Sequence, residues 1–353
     1  MDRRRAWGEA PREVAQATRV LARHNAPMRR PLLPALVASV LLLAAQAAAG
    51  FDLQGHRGAR GLAPENTLAA FSRALDIGVS TLELDIAVTA DGQVVVSHDP
   101  YLNPAITRDP SGQWLQETRG PAIRSLTLAQ LRAYDVGRIK PDSPYARTFA
   151  SQQPVDGARV PTLNEVFELV RERKAGHVRF NIEIKLFPNQ PDATVGVEEM
   201  VSALLRVIHA NAMRERVGIQ SFDWRSLQRV QQLEPNIPTA YLTVQTANTD
   251  NTRDPAWTAG IRLDEHGSVP RLVKAAGGGT WSPNAGAVTQ ALVDEAHGLR
   301  LAVVPWTVND PADMERLVAW GVDGLITDYP DRLRAVLQRR GIALPPPAPA
   351  AAR

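Results

Sequence analysis

The most regular feature of the chain is an alternation of short apolar runs with longer segments in which apolar residues recur every three or four positions. The short runs have the composition of β-strands, and the longer segments have the spacing of amphipathic helices. The predicted strands centre on Leu53, Leu84, Ile182, Ile219, Tyr241, Trp281, Val304 and Ile326. The predicted helices cover residues 66–75, 161–171, 195–211, 224–232, 269–276, 290–297, 312–320 and 332–340.

The second predicted strand differs from the others because a hairpin follows it. Asp91-Gly92 is a two-residue turn signal, and the apolar residues after it return as a short strand. Glu83 and Asp85 are two positions apart, so their side chains share one face of the strand. The returning strand is expected to bring His98 back beside these two carboxylates.

Eight strands that alternate with helices over roughly 300 residues predict an α/β protein of the (β/α)8, or TIM-barrel, class. Residues 100–160 contain several Pro and Gly and one short helical patch. They are predicted to form a small loop-rich excursion after the strand-two hairpin, covering the mouth of the barrel. In this fold the carboxyl ends of the strands carry the chemistry, so candidate residues are expected there.

Composition fits one large globular domain. The chain has 353 residues, of which 44% are hydrophobic and 22% charged, and its formal net charge is +3. Many of its arginines lie in the first thirty residues, and nothing indicates a nucleic-acid partner. We predict a barrel domain over residues 50–340, followed by a Pro/Ala-rich disordered tail over residues 341–353.

Residues 1–49 are interpreted as an N-terminal extension that ends in a signal peptide. Met28-Arg29-Arg30 precedes an apolar run over residues 31–45, and Ala47-Ala48-Ala49 offers a cleavage site of small residues. We expect cleavage after Ala49 and a periplasmic or secreted protein with no stable membrane insertion; an uncleaved membrane anchor is the alternative. Met28 is a possible true start, because hydrophilic residues rarely precede a signal peptide.

The densest candidate site follows the first predicted strand, in the run from Gly55 through His56, Arg57 and Arg60 to Gly61. Glycine lets the backbone approach a ligand closely. The planar fork of arginine suits phosphate, and histidine exchanges a proton near neutral pH. The run therefore predicts an active site for a phosphate-containing substrate, with Arg60 interpreted as a supporting or surface residue.

Three carboxylates, Glu83, Asp85 and Glu183, are predicted to meet at neighbouring strand ends. The Glu83–Asp85 pair alone would be interpreted as a solvated strand end, but a third carboxylate accompanied by Lys185 favours a cation site. Hard oxygen ligands prefer Mg²⁺ or Ca²⁺ to zinc, and the chain contains no cysteine. The expected cofactor is therefore a divalent cation, Ca²⁺ or Mg²⁺.

His56 and His98 are the candidates for general acid and general base. Either histidine alone is more often structural. Together at neighbouring strand ends, with a metal between them, they fit phosphodiester cleavage, in which one histidine deprotonates the nucleophile and the other protonates the leaving alkoxide. Arg57 and Lys185 would neutralise charge on the phosphate together with the metal.

Three aromatic residues at later strand ends, Phe222, Trp281 and Trp306, are candidates for the wall of a substrate pocket. The two tryptophans could equally pack the barrel, and both interpretations stay open. Glu65 and Asn66 are interpreted as residues that begin the first helix and orient the preceding loop.

Taken in order, these motifs resemble the glycerophosphodiester phosphodiesterase family over roughly residues 53–337. The shared motifs are His56-Arg57-Gly58, Pro64-Glu65-Asn66-Thr67, Glu83-Leu84-Asp85, His98-Asp99, Thr162-Leu163, Ile182-Glu183-Ile184-Lys185, Gln220-Ser221-Phe222, Trp306-Thr307-Val308-Asn309 and Asp323-Gly324-Leu325-Ile326-Thr327-Asp328. The resemblance implies a TIM-barrel hydrolase that depends on a divalent cation. Such enzymes split glycerophosphodiesters such as glycerophosphocholine into an alcohol and sn-glycerol 3-phosphate.

The resemblance also implies roles by position. It implies metal binding by Glu83, Asp85 and Glu183, acid and base roles for His56 and His98, and phosphate binding by Arg57 and Lys185. A glycerol hydroxyl attacks first in the mechanism it suggests, giving a cyclic phosphate, while direct attack by water stays open. Residues 245–267 depart from the family pattern at the mouth, so the preferred alcohol is not implied.

Two other functions stay open at this stage. A lysophospholipase D-like enzyme would expose apolar residues near the mouth, and its secreted toxin-like relatives would carry a disulfide, which the lack of cysteine disfavours. A non-catalytic binding protein on the same fold would lack one of the three carboxylates or two histidines, and all five are present. The expected partner is a small-molecule substrate, and the sequence indicates no oligomeric state.

Overall fold

The computed structural model describes residues 50–116 and 118–350. The predicted signal peptide, over residues 28–49, lies outside these described residues. Among the described residues, none of the helices combines the length and the apolar character that crossing a membrane requires.

One sheet contains all the strands of the described chain. They are β1 (Asp52–Gly55), β2 (Thr81–Val88), β3 (Val94–Val96), β4 (Arg179–Ile184), β5 (Val217–Ser221), β6 (Thr239–Thr243), β7 (Thr280–Pro283), β8 (Ala302–Val303) and β9 (Gly324–Thr327). Eight of them lie in the order β8-β7-β6-β5-β4-β2-β1-β9, and β3 pairs only with β2. The pairs along that order are parallel, whereas β3 runs antiparallel to β2 as the hairpin signal predicts.

Backbone hydrogen bonds join the two ends of this order. Asp323 N donates to Val303 O at 2.9 Å, and Ile326 N donates to Pro305 O at 3.0 Å. The segment that contains β8 therefore lies beside β9, and the parallel strands form a nearly closed barrel. The predicted (β/α)8 class is confirmed.

Helices follow the barrel strands around the outside. They are α1 (Leu68–Ile77), α2 (Leu128–Leu131), α3 (Pro144–Thr148), α4 (Leu163–Glu172), α5 (Val197–Ala210), α6 (Trp224–Leu233), α7 (Leu263–His266), α8 (Val269–Ala275), α9 (Gln290–Gly298), α10 (Pro311–Ala319) and α11 (Pro330–Arg339). Apart from α2 and α3, which lie in the excursion, their apolar faces pack on the strands in one continuous core. The eight helices predicted from periodicity all occur, with ends shifted by up to two residues.

Residues 56–67 connect β1 to α1 and carry the densest candidate site, so they are here called the active-site loop. Local chemistry fixes the helix that follows this loop. The Thr67 side chain accepts a hydrogen bond from Ala70 N, which begins α1, and Gly78 ends it in the left-handed conformation at φ +90°. Phe71 and Leu75 lie on the buried face. The loop before Thr67 is therefore anchored at a defined point on the barrel.

The structure departs from the predicted elements in three places. Helix α3 lies in the excursion, where the apolar pattern predicts no helix, and α7 lies in the polar segment 245–267. Strand β8 is much shorter than the predicted strand over residues 301–308. Pro305 has no N–H to donate, which interrupts regular pairing there.

The excursion has a small core of its own and rests on the active-site loop. Its apolar residues form a separate cluster that includes Leu102, Ile123 and Leu131. The Arg60 guanidinium lies 4.6 Å from the centre of the Phe149 ring, as measured from its central carbon. The predicted excursion over the mouth therefore contacts the loop that carries the densest candidate site.

The C-terminal segment corrects the expectation of a disordered tail. Residues 341–350 pack against the barrel: Ala348 N donates to Leu75 O at 2.9 Å, and Arg173 Nε donates to Pro349 O at 2.7 Å. Proline-rich sequence has no helix or strand pattern to detect, but its carbonyls can still accept hydrogen bonds from the body of the protein. The tail is ordered to residue 350, and residues 351–353 lie outside the description.

Candidate active site

Strand register brings the three predicted metal carboxylates together. In the parallel pairing of β2 with β4, Glu83 lies opposite Asn181 and Asp85 lies opposite Glu183. Residues two apart on a strand share a face, so Glu83 and Asp85 point the same way, beside Glu183. One oxygen from each carboxylate lies within 4.8 Å of the others, and all three residues are buried.

The carboxylate cluster is negatively charged and only partly neutralised. Lys185 Nζ lies 3.0 Å from Asp85 Oδ1 and 2.6 Å from Glu183 Oε1. Both oxygens contact Lys185 at ion-pair distance, and no other group among the described residues donates to them. Two buried carboxylate oxygens therefore have lone pairs free for a further cation.

The carboxylates shift one another's pKa values. Burial raises the pKa of Glu183 to about 7, Asp85 adds to the rise and Lys185 opposes it. Burial also raises the pKa of Glu83 well above its usual value, reinforced by the charges of Asp85 and Glu183. Burial alone would raise the pKa of Asp85 too, but Lys185 holds it well below its usual range. A cation bound here would relieve this repulsion.

Polar side chains inside the barrel fix the position of Glu83. Arg57 N donates to Glu83 Oε2 and Gln220 Nε2 donates to Glu83 Oε1, each at 2.9 Å. The Asn181 amide nitrogen donates in turn to Gln220 Oε1 at 2.9 Å and to Gln54 Oε1 at 2.8 Å. These buried hydrogen bonds join four strands, β1, β2, β4 and β5, so the carboxylate cannot rotate freely.

His56 is held in one orientation by Asp328, at the end of β9. His56 Nδ1 lies 2.7 Å from Asp328 Oδ1. An ionised carboxylate only accepts hydrogen bonds, so Nδ1 carries the proton and Nε2 keeps its lone pair. Burial, followed by the charge of Arg60, lowers the pKa of His56 to about 4. His56 is therefore neutral at pH 7, with a basic nitrogen 3.9 Å from Glu83 Oε2.

Asp328 also holds Arg60 in the site. Arg60 donates to both oxygens of Asp328, at 2.7 and 3.0 Å, and Asn309 Nδ2 donates to Asp328 Oδ2 at 2.7 Å. Burial would raise the pKa of Asp328, but its pairing with His56 and Arg60 holds that pKa well below its usual range. The sequence predicts Arg60 to be a supporting or a surface residue. In the structure its side chain is only 13% exposed, so it is largely buried.

His98 faces the same cavity from the end of the hairpin, as its position after Asp91-Gly92 predicts. His98 Nδ1 lies 2.8 Å from Asp99 Oδ1, and Asn103 Nδ2 donates to the other oxygen of Asp99 at 2.9 Å. Burial, with the charges of Arg57 and Lys185, lowers the pKa of His98. Its side chain is 34% exposed, so it is the more accessible of the two histidines.

Arg57 lies between the loop and the carboxylates. Its backbone adopts the left-handed region at φ +49°, which turns its N–H toward Glu83. Its guanidinium donates to Glu65 Oε1 at 2.6 Å, and its Nε lies 3.4 Å from Asp85 Oδ2. Among the described groups, this Nε has no hydrogen-bond partner. The Arg57 guanidinium thus joins the loop carboxylate Glu65 to the carboxylate cluster.

Glu65 and Asn66 support the site more directly than the sequence suggests. Asn66 adopts φ +55°, and its Nδ2 donates to Asp85 Oδ2 at 2.9 Å. Glu65 binds Arg57 on one side and accepts a hydrogen bond from the hydroxyl of Tyr145 on the other. Both residues orient the loop, as expected, and they also restrain a candidate metal ligand and a candidate phosphate ligand.

A cavity of about 500 Å³, here called the catalytic cavity, lies at the centre of the candidate site, and Glu83 and Glu183 line it. Its wall includes both histidines, Arg57, Lys185, Phe222 and Trp306. The Phe222 and Trp306 rings meet edge to face with centroids 5.4 Å apart. Trp281 instead is fully buried, and its Nε1 donates to Thr243 Oγ1 at 2.9 Å. Of its two open interpretations, the structure places Trp281 in barrel packing.

Three supporting residues are not singled out as site residues by the sequence analysis. Asp328 and Gln220 appear there only within the motifs shared with the family, and their position in or after an apolar run is the signal that could have promoted them. Tyr145 lies about eighty residues from Glu65 in the chain. No local pattern connects such a pair, so only the folded excursion reveals it.

Comparison with known proteins agrees with this geometry. A model of the "Glycerophosphoryl diester phosphodiesterase family" matches residues 56–332. A glycerophosphodiester phosphodiesterase of Bacillus subtilis is 34% identical over 291 residues, which cover 80% of this chain and 84% of the relative.

Solved structures give the same result. A putative glycerophosphoryl diester phosphodiesterase of Silicibacter pomeroyi has 37% identity and a TM-score of 0.75, covering 84% of this chain and 96% of its own. A phosphodiesterase of Oleispira antarctica was solved in complex with the product sn-glycerol-3-phosphate. It has 22% identity and a TM-score of 0.60, and the match covers 82% of this chain and 97% of that structure. The chain belongs to the glycerophosphoryl diester phosphodiesterase family of enzymes.

Proposed function

We propose that the catalytic cavity hydrolyses glycerophosphodiesters such as glycerophosphocholine to an alcohol and sn-glycerol 3-phosphate, with a divalent cation and two histidines. One observation carries the proposal: two histidines, an arginine and two of three clustered buried carboxylates line a single cavity at the carboxyl end of the barrel. The product named in the Oleispira antarctica structure supports the same substrate class.

The carboxylate cluster fits a hard divalent cation. Glu83, Asp85 and Glu183 would hold it, because each offers an oxygen atom and these oxygens lie within 4.8 Å of one another. Oxygen ligands of this kind suit Ca²⁺ or Mg²⁺. When bound, such a cation supplies a Lewis acid that polarises the phosphoryl group.

His56 is assigned as the general base. Its protonated Nδ1 is fixed on Asp328, so Nε2 is left free to accept a proton. The lowered pKa keeps the imidazole neutral at the start of the reaction. His56 Nε2 takes the proton of the attacking oxygen, which is a glycerol hydroxyl or a water, as the new bond to phosphorus forms.

His98 is assigned as the general acid. It is more exposed than His56, and Asp99 orients its ring. The charges of Arg57 and Lys185 lower the pKa of His98 in the free enzyme, and the negative charge of a bound phosphodiester would offset them. His98 then donates its proton to the alkoxide as the bond from phosphorus to the alcohol breaks. Arg57, which lines the catalytic cavity, would hold a phosphate oxygen with its guanidinium.

A substrate panel tests the proposed function against its alternatives. Purified protein receives glycerophosphocholine, lysophosphatidylcholine and bis-p-nitrophenyl phosphate, each with and without EDTA. We expect cation-dependent release of sn-glycerol 3-phosphate from glycerophosphocholine. Preference for lysophosphatidylcholine would indicate a lysophospholipase D-like enzyme, and binding without turnover would indicate a non-catalytic protein.

Two substrates whose leaving groups differ in their need for a proton distinguish the roles of the two histidines. A p-nitrophenolate leaves without protonation, whereas the choline alkoxide needs a proton. His98→Ala should therefore lose on the order of 10²-fold or more on glycerophosphocholine and much less on bis-p-nitrophenyl phosphate. His56→Ala should lose activity on both substrates. If His98→Ala, like His56→Ala, loses activity equally on both substrates, the assignment is refuted.

We also propose that the protein is exported to the periplasm or secreted. The support is the basic, apolar and small-residue order of residues 28–49. Expression of the full chain in a bacterial host, followed by fractionation and N-terminal sequencing, tests this. A mature form that begins near Gly50 outside the cytoplasm is expected, and a full-length form retained inside would contradict it.

A further inference from the structure

A second cavity, also of about 500 Å³, adjoins the catalytic cavity. The two cavities share His98, Lys185 and Phe222 in their walls, whereas His56 and Arg57 line the catalytic cavity alone. A phosphodiester has two substituents on one phosphorus atom. With the phosphate at the shared wall, one substituent lies in each cavity, and the substituent in the second cavity lies on the side of His98.

The second cavity has an aromatic corner. The rings of Phe187 and Trp257 meet edge to face with centroids 6.5 Å apart, and Phe222 contributes a third ring from the shared wall. Ile184 and Leu186 add apolar surface. Aromatic faces carry negative electrostatic potential, so such a corner attracts organic cations with little hydration.

One carboxylate in this cavity is without a balancing charge. Asp254 Oδ2 accepts only a weak hydrogen bond from Asn189 Nδ2, at 3.2 Å, and its other oxygen accepts from Ala256 N at 2.9 Å. Within residues 50–116 and 118–350, Asp254 has no salt bridge, whereas the nearby Asp250 is paired with Arg253 at 3.1 Å. The cavity thus combines aromatic rings with a carboxylate that forms no ion pair among the described residues.

We propose that this cavity, the headgroup pocket, binds the leaving alcohol and selects alcohols that carry a positively charged amine, above all choline. The proposal rests on the proposed function, because it names which glycerophosphodiesters that function favours. Phe187 and Trp257 face the ammonium group, and Asp254 supplies the opposite charge. His98, at the boundary of both cavities, then protonates the alcohol as it leaves into the headgroup pocket.

The position of the pocket in the chain explains why alcohol preference is hard to predict from family motifs. Asp254 and Trp257 lie in the segment 245–267, which follows β6 and contains none of the motifs shared with the family. Phe187 and Asn189 lie in the loop after β4, just beyond the Glu183 and Lys185 motif. The reaction chemistry and the alcohol selection are thus carried by different loops of one barrel mouth.

The test compares charged and neutral alcohols in wild type and in pocket variants. The substrates are glycerophosphocholine, glycerophosphoethanolamine, glycerophosphoinositol and glycerophosphoglycerol, and the readout is kcat/KM from release of sn-glycerol 3-phosphate. The variants are Asp254→Asn, which keeps the shape of the side chain, and Trp257→Leu. Asp264→Asn is the control, because Asp264 is an exposed carboxylate paired with Arg262.

We expect wild type to prefer glycerophosphocholine over both neutral substrates by about tenfold or more. Asp254→Asn and Trp257→Leu should each lower kcat/KM for glycerophosphocholine about tenfold and leave the neutral substrates within about twofold. Asp264→Asn should match wild type on all four substrates. Tetramethylammonium should inhibit wild type competitively and Asp254→Asn much more weakly.

Other outcomes overturn the proposal. Equal kcat/KM for charged and neutral alcohols in wild type would contradict cation selection, and so would equal losses on all substrates in Asp254→Asn. A preference for ethanolamine over choline would contradict the aromatic part of the argument. If none of the four substrates is hydrolysed, it is the proposed function that fails, so the two failures are distinguishable.

Discussion

At the scale of single residues, Asp328 organises the surroundings of His56, the proposed general base. It accepts hydrogen bonds from His56, Arg60 and Asn309, and its side chain is fully buried. These contacts fix the tautomer of His56 and keep the Arg60 charge beside it. The carboxylate therefore acts through His56, as a positioning residue.

Asp328→Asn tests this role. We expect kcat to fall on the order of 10²-fold with a smaller change in KM, because the base loses its tautomer and orientation. If Asp328→Asn lowers the free energy of unfolding and leaves kcat at the wild-type value, Asp328 is only structural. Activity and urea denaturation measured on the same preparation separate the two outcomes.

Asp328→Asn should also change how the free energy of unfolding depends on pH. A carboxyl whose pKa is depressed on folding stabilises the protein above its unfolded pKa of about 3.9, and this contribution is lost as the pH falls below that value. Below about pH 4, the unfolding free energy of wild type should therefore decline more steeply than that of Asp328→Asn. Parallel curves over this range would contradict the predicted ion pairing.

Gly58 shows how closely the active-site loop packs on α1. It adopts φ +86°, and a Cβ on it would lie 2.6 Å from the backbone carbon of Ala70. Gly58→Ala should lower the unfolding free energy by about 2–4 kcal/mol, through both strain and overlap. Gly92→Ala is the control, since Gly92 has φ +75° with open space around it. Equal losses of about 1 kcal/mol in both variants would contradict close packing.

At the scale of elements, the hairpin and the excursion bring distant residues to the site. The β2–β3 hairpin returns the chain to His98, and α3 places Tyr145 against Glu65, which holds Arg57. The Phe149 ring, packed on Tyr145 with centroids 4.9 Å apart, rests on Arg60. The excursion is therefore part of the support for the phosphate-binding side of the cavity.

Tyr145→Phe tests that support. Loss of the hydroxyl frees Glu65 and loosens Arg57, so we expect KM for glycerophosphocholine to rise several-fold while kcat changes less than KM. Tyr134→Phe is the control, because Tyr134 packs against the core of the excursion. A fall in melting temperature without a change in KM would show a structural role only.

The elements that a sequence predicts best are those with strong periodicity. The strands around Leu84 and Ile182 and the amphipathic helices are predictable because burial imposes a regular spacing, and their register then brings Glu83 and Glu183 together. The contacts of Tyr145 with Glu65 and of Asp328 with His56 are not predictable in this way. They depend on how irregular loops and opposite ends of the chain meet in space, which leaves no local pattern.

At the scale of the whole molecule, the carboxylate cluster opposes folding when no cation is bound. Three carboxylates lie buried near one another, with Lys185 Nζ as the ammonium between two of them. Repulsion of this kind is tolerated when a ligand compensates it in the functional state. The barrel core, with its continuous cluster of apolar side chains, supplies the stability that tolerates such a site.

Cation binding should therefore stabilise the fold. At a hundredfold excess over its dissociation constant, Ca²⁺ or Mg²⁺ should add about 3 kcal/mol and raise the melting temperature. Glu183→Gln should abolish this shift without lowering stability in EDTA, because it removes a repelling charge. Glu168→Gln, an exposed position on α4, should behave like wild type. A shift of equal size in Glu183→Gln would place the cation elsewhere.

The central claim is that the carboxylates and His56 together hydrolyse glycerophosphodiesters. Its most direct test is the release of sn-glycerol 3-phosphate from glycerophosphocholine by metal-free protein titrated with Ca²⁺ or Mg²⁺, with wild type and His56→Ala compared as folded proteins. We predict no release in EDTA, saturable recovery in wild type, and rates lower by on the order of 10²-fold or more in His56→Ala. Release that persists in EDTA, or full activity in His56→Ala, would contradict the account.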